Sequence, residues 1–135
     1  WHHLVEDVAI VLGRAFNQAM GDGRGIVRMA HALVPLDEAL ALVVVDVGGR
    51  PYAVVDTKTT TEAVGDLPGD MIGHFLETLA MEGRITLHAR LIQGINSHHK
   101  AEALFKALGR ALGEAYRRDP RIGEDVPSTK GTLGG

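Results

Sequence analysis

The residues best suited to chemistry in this chain form two copies of one histidine motif. Residues 2–6 and 98–102 both read H-H-x-x-E. On a helix, residues four apart share a face, whereas neighbouring residues point about 100° apart. Each copy can therefore direct its first histidine and its glutamate at one metal ion and turn its second histidine toward another. The candidate ligands are the histidines and glutamates of both copies: His2, His3, Glu6, His98, His99 and Glu102.

The chain has seven histidines and no cysteine, so a transition-metal site here would use imidazole and carboxylate groups. Such donors suit octahedral Mn, Fe, Co or Ni, or Zn, and do not choose among these metals. A single His-His pair at a helix start is more often a surface feature than a metal site. The second copy favours metal binding.

The repeat extends beyond the histidines. At an offset of 96 residues, Leu12-Gly13-Arg14-Ala15 aligns with Leu108-Gly109-Arg110-Ala111. A period this long is typical of a duplicated half-domain with pseudo-two-fold symmetry. The first copy has no counterpart of the strand that precedes the second motif, so we expect the first half to be incomplete. The chain also begins with Trp1, which predicts a fragment or a processed form.

Hydrophobic periodicity predicts the element order αβββαβα. We expect helices at 3–20, from Pro68 to Gly83 and at 98–118; antiparallel strands at 26–34, 39–47 and 52–56; a polar loop at 57–65; and a further strand at 84–93. The predicted fold class is α/β (α+β), a layered sandwich of duplicated half-domains with mixed or antiparallel sheets and packed helices. We treat 1–135 as a single domain, with the first-copy helix, the strands and the middle helix in 1–93, the second-copy helix in 94–127 and a tail at 128–135.

The predicted helices place several polar side chains beside the core. On the last helix, His98, His99, Glu102 and Lys106 fall in one band bordering the apolar arc. On the middle helix, His74 lies about 60° outside the apolar arc, where a residue that faces a site would lie. Metal ligands and an ammonium group thus share one stripe of the last helix. Of the two strand histidines, His31 is expected on the surface, whereas His88 is open to either interpretation.

Charge and hydropathy exclude some partners. A formal net charge of −3 and a pI near 6.2 provide no positive field for a nucleic-acid backbone. No run of 18 apolar residues and no signal-peptide pattern is present, so neither a membrane span nor secretion is expected. The absence of cysteine is compatible with a reducing cytoplasm, which is the expected location.

Further motifs accompany the histidines in a fixed order: D-G-R-G-I at 22–26, P-L-D-E-A at 35–39, G-R-P-Y at 49–52, T-L-H at 86–88 and P-S-T-K-G at 127–131. In order and spacing the chain closely resembles the imidazoleglycerol-phosphate dehydratase family of histidine biosynthesis. The resemblance covers essentially the whole chain, although the family carries further residues upstream, including one more histidine ligand.

The resemblance implies a lyase that removes water from imidazoleglycerol phosphate to give imidazole-acetol phosphate. It implies two Mn²⁺ ions per active site, which hold the substrate ring as imidazolate and allow a diazafulvene intermediate. It also implies sites shared between subunits in a 24-subunit assembly built from trimers. The implied metal ligands are His2, His3, Glu6, His74, His98, His99 and Glu102.

The resemblance assigns further roles. The implied phosphate-binding residues are Arg28, Arg50, Lys106, Ser128 and Lys130, the last two in a phosphate-binding tail. The candidate catalytic residues are Glu6, Glu102 and Asp37: the two glutamates are candidates for proton transfer, and Asp37 is expected near the active-site wall. Three alternatives stay open: another metal-dependent hydrolase or lyase on this scaffold, a metal-templated oligomeric scaffold or inactive truncated form without turnover, and a plain α/β domain with surface histidines.

Overall fold

The computed structural model describes residues 1–58 and 62–134, and its mixed α/β fold confirms the predicted class and element order. Three helices and four strands follow one another as α1 (His2–Met20), β1 (Met29–Leu36), β2 (Ala39–Asp46), β3 (Tyr52–Asp56), α2 (Asp70–Glu82), β4 (Thr86–Gln93) and α3 (Ser97–Ala115). No helix in these two ranges is long and apolar enough to cross a bilayer.

The strands form one sheet in the order β1-β2-β4-β3. The β1–β2 and β2–β4 pairs are antiparallel, whereas β3 pairs with β4 in parallel. The prediction that the three strands of 26–56 all run antiparallel to their neighbours is therefore wrong for β3. The connection from β3 to β4 contains α2, and such a crossover allows two successive strands to lie parallel. In the sheet β4 lies between β2 and β3, so β2 pairs with β4 rather than with β3.

One face of the sheet is covered by α2 and α3. Alternate residues of β2 and β4, such as Val43 and Leu87, point into this layer and are almost fully buried. From α3 the buried stripe repeats at helical spacing and comprises Ala101, Leu104, Ala107, Leu108, Ala111, Leu112 and Ala115. The helix α1 packs mainly against α2, and its buried residues are Ala9 and Gly13. Both motif-bearing helices thus contact the layer that holds the core.

Two element boundaries differ from the prediction for one physical reason. The strand β1 starts at Met29 rather than at residue 26, and α3 ends at Ala115 rather than at residue 118. The intervening segments bond to each other instead: Ile26 bridges Arg118, and the Arg28 N–H donates to the Ala115 carbonyl oxygen. Arg28 has a φ of 75°, which no regular strand allows. This local pairing delays the start of β1 and ends α3 early.

Two predicted segments lie partly outside the described residues. The polar loop at 57–65 includes residues 59–61, and the tail at 128–135 includes Gly135. The described part of the tail forms turns and no helix or strand. It folds back so that the Gly134 N–H donates to the Gly48 carbonyl oxygen at 3.0 Å.

Candidate functional site

The first histidine motif meets the middle helix. His2 and Glu6 lie one turn apart on α1, and the close packing of α1 on α2 brings His74 to them. The Nε2 atom of His2 is 4.0 Å from one Glu6 oxygen, and Nε2 of His74 is 3.8 Å from the other. The rings of His2 and His74 stack with centroids 4.8 Å apart. One ligand atom from each of the three residues lies within 4.8 Å of the others.

The separations within this trio suit a metal ion. Bonds of about 2.1 Å from a transition metal to nitrogen or oxygen place two ligand atoms up to about 4.2 Å apart. The Nε2 atom of His74 is buried and has no hydrogen-bond partner within residues 1–58 and 62–134. A buried polar atom without a partner is costly unless something else binds it. The trio therefore fits a divalent cation with little rearrangement.

His3 points elsewhere, as its place beside His2 on the helix requires. Its ring meets that of His2 edge to face, with centroids 6.0 Å apart, and the residue is exposed. Its side chain is therefore open to solvent and is not part of the group formed by His2, Glu6 and His74.

The side chains of the second motif contact a different set of residues. On α3, Nε2 of His98 is 2.9 Å from Glu102, and Nζ of Lys106 is 2.8 Å from the other Glu102 oxygen. These contacts, the Lys106 hydrogen bond above all, hold the pKa of the Glu102 carboxyl below its ordinary value. Lys106 is thus paired with a carboxylate, and it does not line the pocket that contains the other predicted phosphate-binding residues.

His99 faces the turn between β1 and β2 rather than His98. Its Nδ1 is 2.7 Å from Glu38, and its Nε2 is 3.6 Å from Asp37. The hydrogen bond to Glu38 raises the pKa of His99. The same bond, with two backbone N–H groups, lowers the pKa of Glu38 to about 2. Asp37, predicted near the site wall, thus contacts a predicted ligand, and Glu38 is a site residue to which the sequence analysis assigned no role.

The described residues contain one group of three metal-binding side chains, the His2 trio. The second motif does not join it within one chain.

A separate pocket collects most of the predicted phosphate ligands. Arg28, Arg50, Ser128 and Lys130 line a cavity of about 550 Å³, together with residues of the turn at 48 and of the tail. The Ser128 hydroxyl accepts a hydrogen bond from the Lys130 N–H. Two guanidinium groups, an ammonium group and a hydroxyl can together bind a phosphate dianion by charge-assisted hydrogen bonds. Four of the five predicted residues therefore converge, and Lys106 does not.

A carboxylate that the sequence analysis missed holds one of these arginines in place. Asp46 accepts from Nε and Nη2 of Arg28 at 2.8 and 3.0 Å, while Nη1 donates to the Pro127 carbonyl oxygen at 2.7 Å. The Asp46 hydrogen bond raises the pKa of Arg28. Asp46 is the last residue of β2, and the available signal was an acidic residue at a strand end, two positions before Gly48-Gly49.

The tail forms the far wall of the pocket through a close backbone approach. A Cβ atom on Gly49 would lie 2.6 Å from the Gly134 Cα, and Gly49 has a φ of 81°. Glycine meets both requirements, since it lacks a Cβ and adopts positive φ readily. The glycine of the G-R-P-Y motif thus allows the tail to pack against the turn that carries Arg50.

The two remaining histidines lie on the face of the sheet that the helices leave uncovered. Both His31 and His88 are exposed. His31 on β1 and His88 on β4 are both in register with Val44 on β2, the strand between them. His88 lines a shallow cleft with apolar residues of β2 and β3. Neither contacts the trio or the anion pocket.

Known proteins resemble this chain in sequence and in fold. A sequence model of the imidazoleglycerol-phosphate dehydratase family matches residues 1–112. Imidazoleglycerol-phosphate dehydratases from Chloroflexus aggregans and a Roseiflexus species are 59% and 58% identical to the chain over 132 residues, or 98% of it. The chain spans 64% and 66% of the lengths of these two relatives.

Two solved structures share the fold. The dehydratase from Staphylococcus aureus has a TM-score of 0.84 and 39% identity, over 87% of this chain and 69% of that one. The enzyme from Pyrococcus furiosus has a TM-score of 0.82 and 39% identity, over 98% of this chain and 71% of that one. On this sequence match and this shared fold, the chain belongs to the imidazoleglycerol-phosphate dehydratase family.

Proposed function

We propose that the chain acts in a hydro-lyase that converts imidazoleglycerol phosphate to imidazole-acetol phosphate in histidine biosynthesis. The observation that carries this proposal is the pairing, on one chain, of a metal-fitting trio with a cationic pocket. A substrate with an imidazole ring at one end and a phosphate at the other needs both. Family membership supports the same reaction.

Two divalent cations, Mn²⁺ by the family resemblance, would be held by the two motifs. His2, Glu6 and His74 would hold one, and His98 and Glu102 would contribute to the other. His3 and His99, which point away from their neighbouring histidines, would each complete a neighbouring site. Such ions would act as Lewis acids and would help the imidazole ring of the substrate to stabilise the charge that develops as water is lost.

The protein groups would position the substrate and move protons. Arg28, Arg50, Ser128 and Lys130 would bind the phosphate, and Lys106 would join them only after leaving Glu102. Asp37 is three-quarters exposed, so its carboxylate can exchange protons with water beside His99. Glu6 and Glu102 are the other candidate proton carriers, although both also contact histidines of their own motifs.

Because the two motifs do not meet within one chain, we propose that neighbouring subunits complete each site, in an assembly of 24 subunits built from trimers. Chelation followed by sizing tests this, and an assembly that survives unchanged without metal would contradict it. The cytoplasm is the proposed location.

A substitution in the anion pocket tests the reaction. With Mn²⁺ present, Lys130→Ala should reduce turnover of imidazoleglycerol phosphate and leave Mn²⁺ affinity unchanged, because Lys130 lies in the pocket and not in the trio. Arg110→Ala removes a positive charge from an exposed position of α3 and serves as the matched control. Equal turnover in the two variants would contradict the proposal.

The alternative is a metal-templated oligomeric scaffold without turnover, and the separation of the two motifs within one chain also suits it. Such a scaffold would dissociate on chelation, but its assembly would not change in the Lys130→Ala variant. Measuring size and turnover on the same samples separates the two functions.

A further inference from the structure

Glu38 occupies a turn of two residues between β1 and β2, beside the start of α3. One carboxylate oxygen accepts hydrogen bonds from the backbone N–H groups of Asn96 and Ile95, at 2.8 and 3.1 Å. The other oxygen is 2.7 Å from Nδ1 of His99. One side chain thus contacts both the backbone that enters α3 and a ring on its first turn.

The backbone contacts fix where α3 begins. Asn96 is the N-cap of α3, and its side chain accepts from the N–H groups of His98 and His99 at 2.9 and 3.2 Å. An N-cap satisfies N–H groups that have no partner within the helix. By holding Asn96 and Ile95, Glu38 ties this cap, and so the second histidine motif, to the edge of the sheet.

The contact to His99 determines which ring nitrogen is free. A carboxylate that already accepts two backbone bonds can offer Nδ1 nothing but an acceptor, so Nδ1 must carry the proton. A neutral His99 then has its lone pair on Nε2, which is the nitrogen that faces Asp37. Carboxylates that hold a histidine in this way orient metal ligands in many proteins.

We propose that Glu38 is a positioning residue that fixes the Nδ1–H tautomer of His99 and presents its Nε2 atom to a divalent cation. The inference rests on the proposed function, which makes His99 a metal ligand. In this arrangement Glu38 itself does not contact the ion or the substrate.

The test is Glu38→Gln. The glutamine oxygen can still accept from the Asn96 and Ile95 N–H groups, and this directs the amide NH₂ at His99. An amide donor requires an acceptor at Nδ1, so the proton moves to Nε2 and blocks the lone pair needed for the ion. The variant therefore keeps the backbone anchor and reverses the tautomer. Glu114→Gln is the matched control, because Glu114 lies at the far end of α3 and pairs with Arg117.

Two readouts and one folding control are needed. Nitrogen-15 NMR of the metal-free protein at about pH 9, where imidazoles are neutral, should show His99 protonated on Nδ1 in the wild type and in Glu114→Gln, and on Nε2 in Glu38→Gln. Titration with Mn²⁺ should show about 10–100-fold weaker binding for Glu38→Gln alone. Circular dichroism should show the same helix content in all three proteins.

The outcomes separate this inference from the proposed function. An Nε2–H tautomer in the wild type, or an unchanged tautomer in Glu38→Gln, would overturn the role of Glu38 even if the protein turns over substrate. A reversed tautomer with unchanged Mn²⁺ affinity would overturn the link to the ion. If the wild type binds no Mn²⁺, the proposed metal chemistry fails, whereas the NMR result still decides what Glu38 does to His99.

Discussion

The trio combines His2 and Glu6 of α1 with His74 of α2, so its geometry depends on how closely the two helices pack. A glycine of α1 allows this close packing. A Cβ atom on Gly13 would lie 2.8 Å from the Cβ of Glu82 and 2.9 Å from the backbone nitrogen of Gly83. Ordinary carbon contacts are about 3.5–4.0 Å, so Gly13→Ala would force the helices apart by roughly 0.7–1.2 Å. The repeat supplies the control, because Gly109 aligns with Gly13, and a Cβ atom there would meet no neighbouring group of residues 1–58 and 62–134 within 4 Å.

The two variants should change stability in opposite directions. Replacing a glycine within a helix by alanine stabilises by about 0.5–1 kcal/mol when space allows, which is the expected result for Gly109→Ala. Gly13→Ala has the same gain, but overpacking a tight contact costs about 1–3 kcal/mol, and here backbone atoms must move. We expect a net loss of about 1–2 kcal/mol, and therefore a difference of about 2 kcal/mol between the variants.

Urea denaturation followed by circular dichroism measures this difference, since a shift of the midpoint at constant slope reports stability. Mn²⁺ titration gives a second readout: Gly13→Ala should bind more weakly, because moving α1 draws His2 and Glu6 away from His74. Gly109→Ala should not change binding. If Gly13→Ala proves as stable as Gly109→Ala, the close α1–α2 packing is not what positions the trio.

Three further substitutions probe single contacts. Asp46→Asn replaces the bidentate partner of Arg28 and should lower the free energy of unfolding by about 1–3 kcal/mol, so a loss below about 0.5 kcal/mol in urea would contradict it. Tyr116→Phe removes a buried hydroxyl without a hydrogen-bond partner in the described ranges and should stabilise by about 1 kcal/mol. Burial raises the pKa of Tyr116 to about 12, so the wild type should lose further stability against this variant as pH rises above 10, and a constant difference between about pH 8 and 11 would refute this. Arg121 lowers the pKa of Asp119 from 3.8 to about 2, so its contribution is complete above about pH 4 and is lost as pH falls through 2; acid denaturation of Asp119→Asn should be flatter over that range, and a parallel curve would count against it.

Local patterns in the sequence predicted the elements well, because they reflect burial of one face of each element. The stripes of α1 and α3 and the alternation of β4 are signals of this kind. The pairing of β3 was not predictable in the same way, because the pattern of buried and exposed residues in a strand does not indicate whether β2 or β4 lies beside it. The late start of β1 depends on Arg28, which has a positive φ and donates its N–H to Ala115 at the end of α3, about 90 residues away in sequence.

For the site, the sequence indicated which residue types could bind metal or phosphate, and the structure brings many of them together. What it could not give was the partner of each group. The contacts of Asp46 with Arg28 and of Glu38 with His99 join residues 18 and 61 positions apart, and no periodicity links them. His74 was predicted from its angle on a helix, but its distance to Glu6 depends on the glycine contact between α1 and α2.

The two copies of the motif show how much their neighbours matter. Both have the same residues at the same spacing, yet Glu6 faces a histidine from another helix, whereas Glu102 is already paired with Lys106. A cation that approaches Glu102 must share it with an ammonium group, and Glu6 imposes no such competition from an ion pair in the described ranges. The difference originates outside the motif, at position 106 and at His74. The two copies of the motif within one chain therefore differ in the charge that lies beside their glutamates.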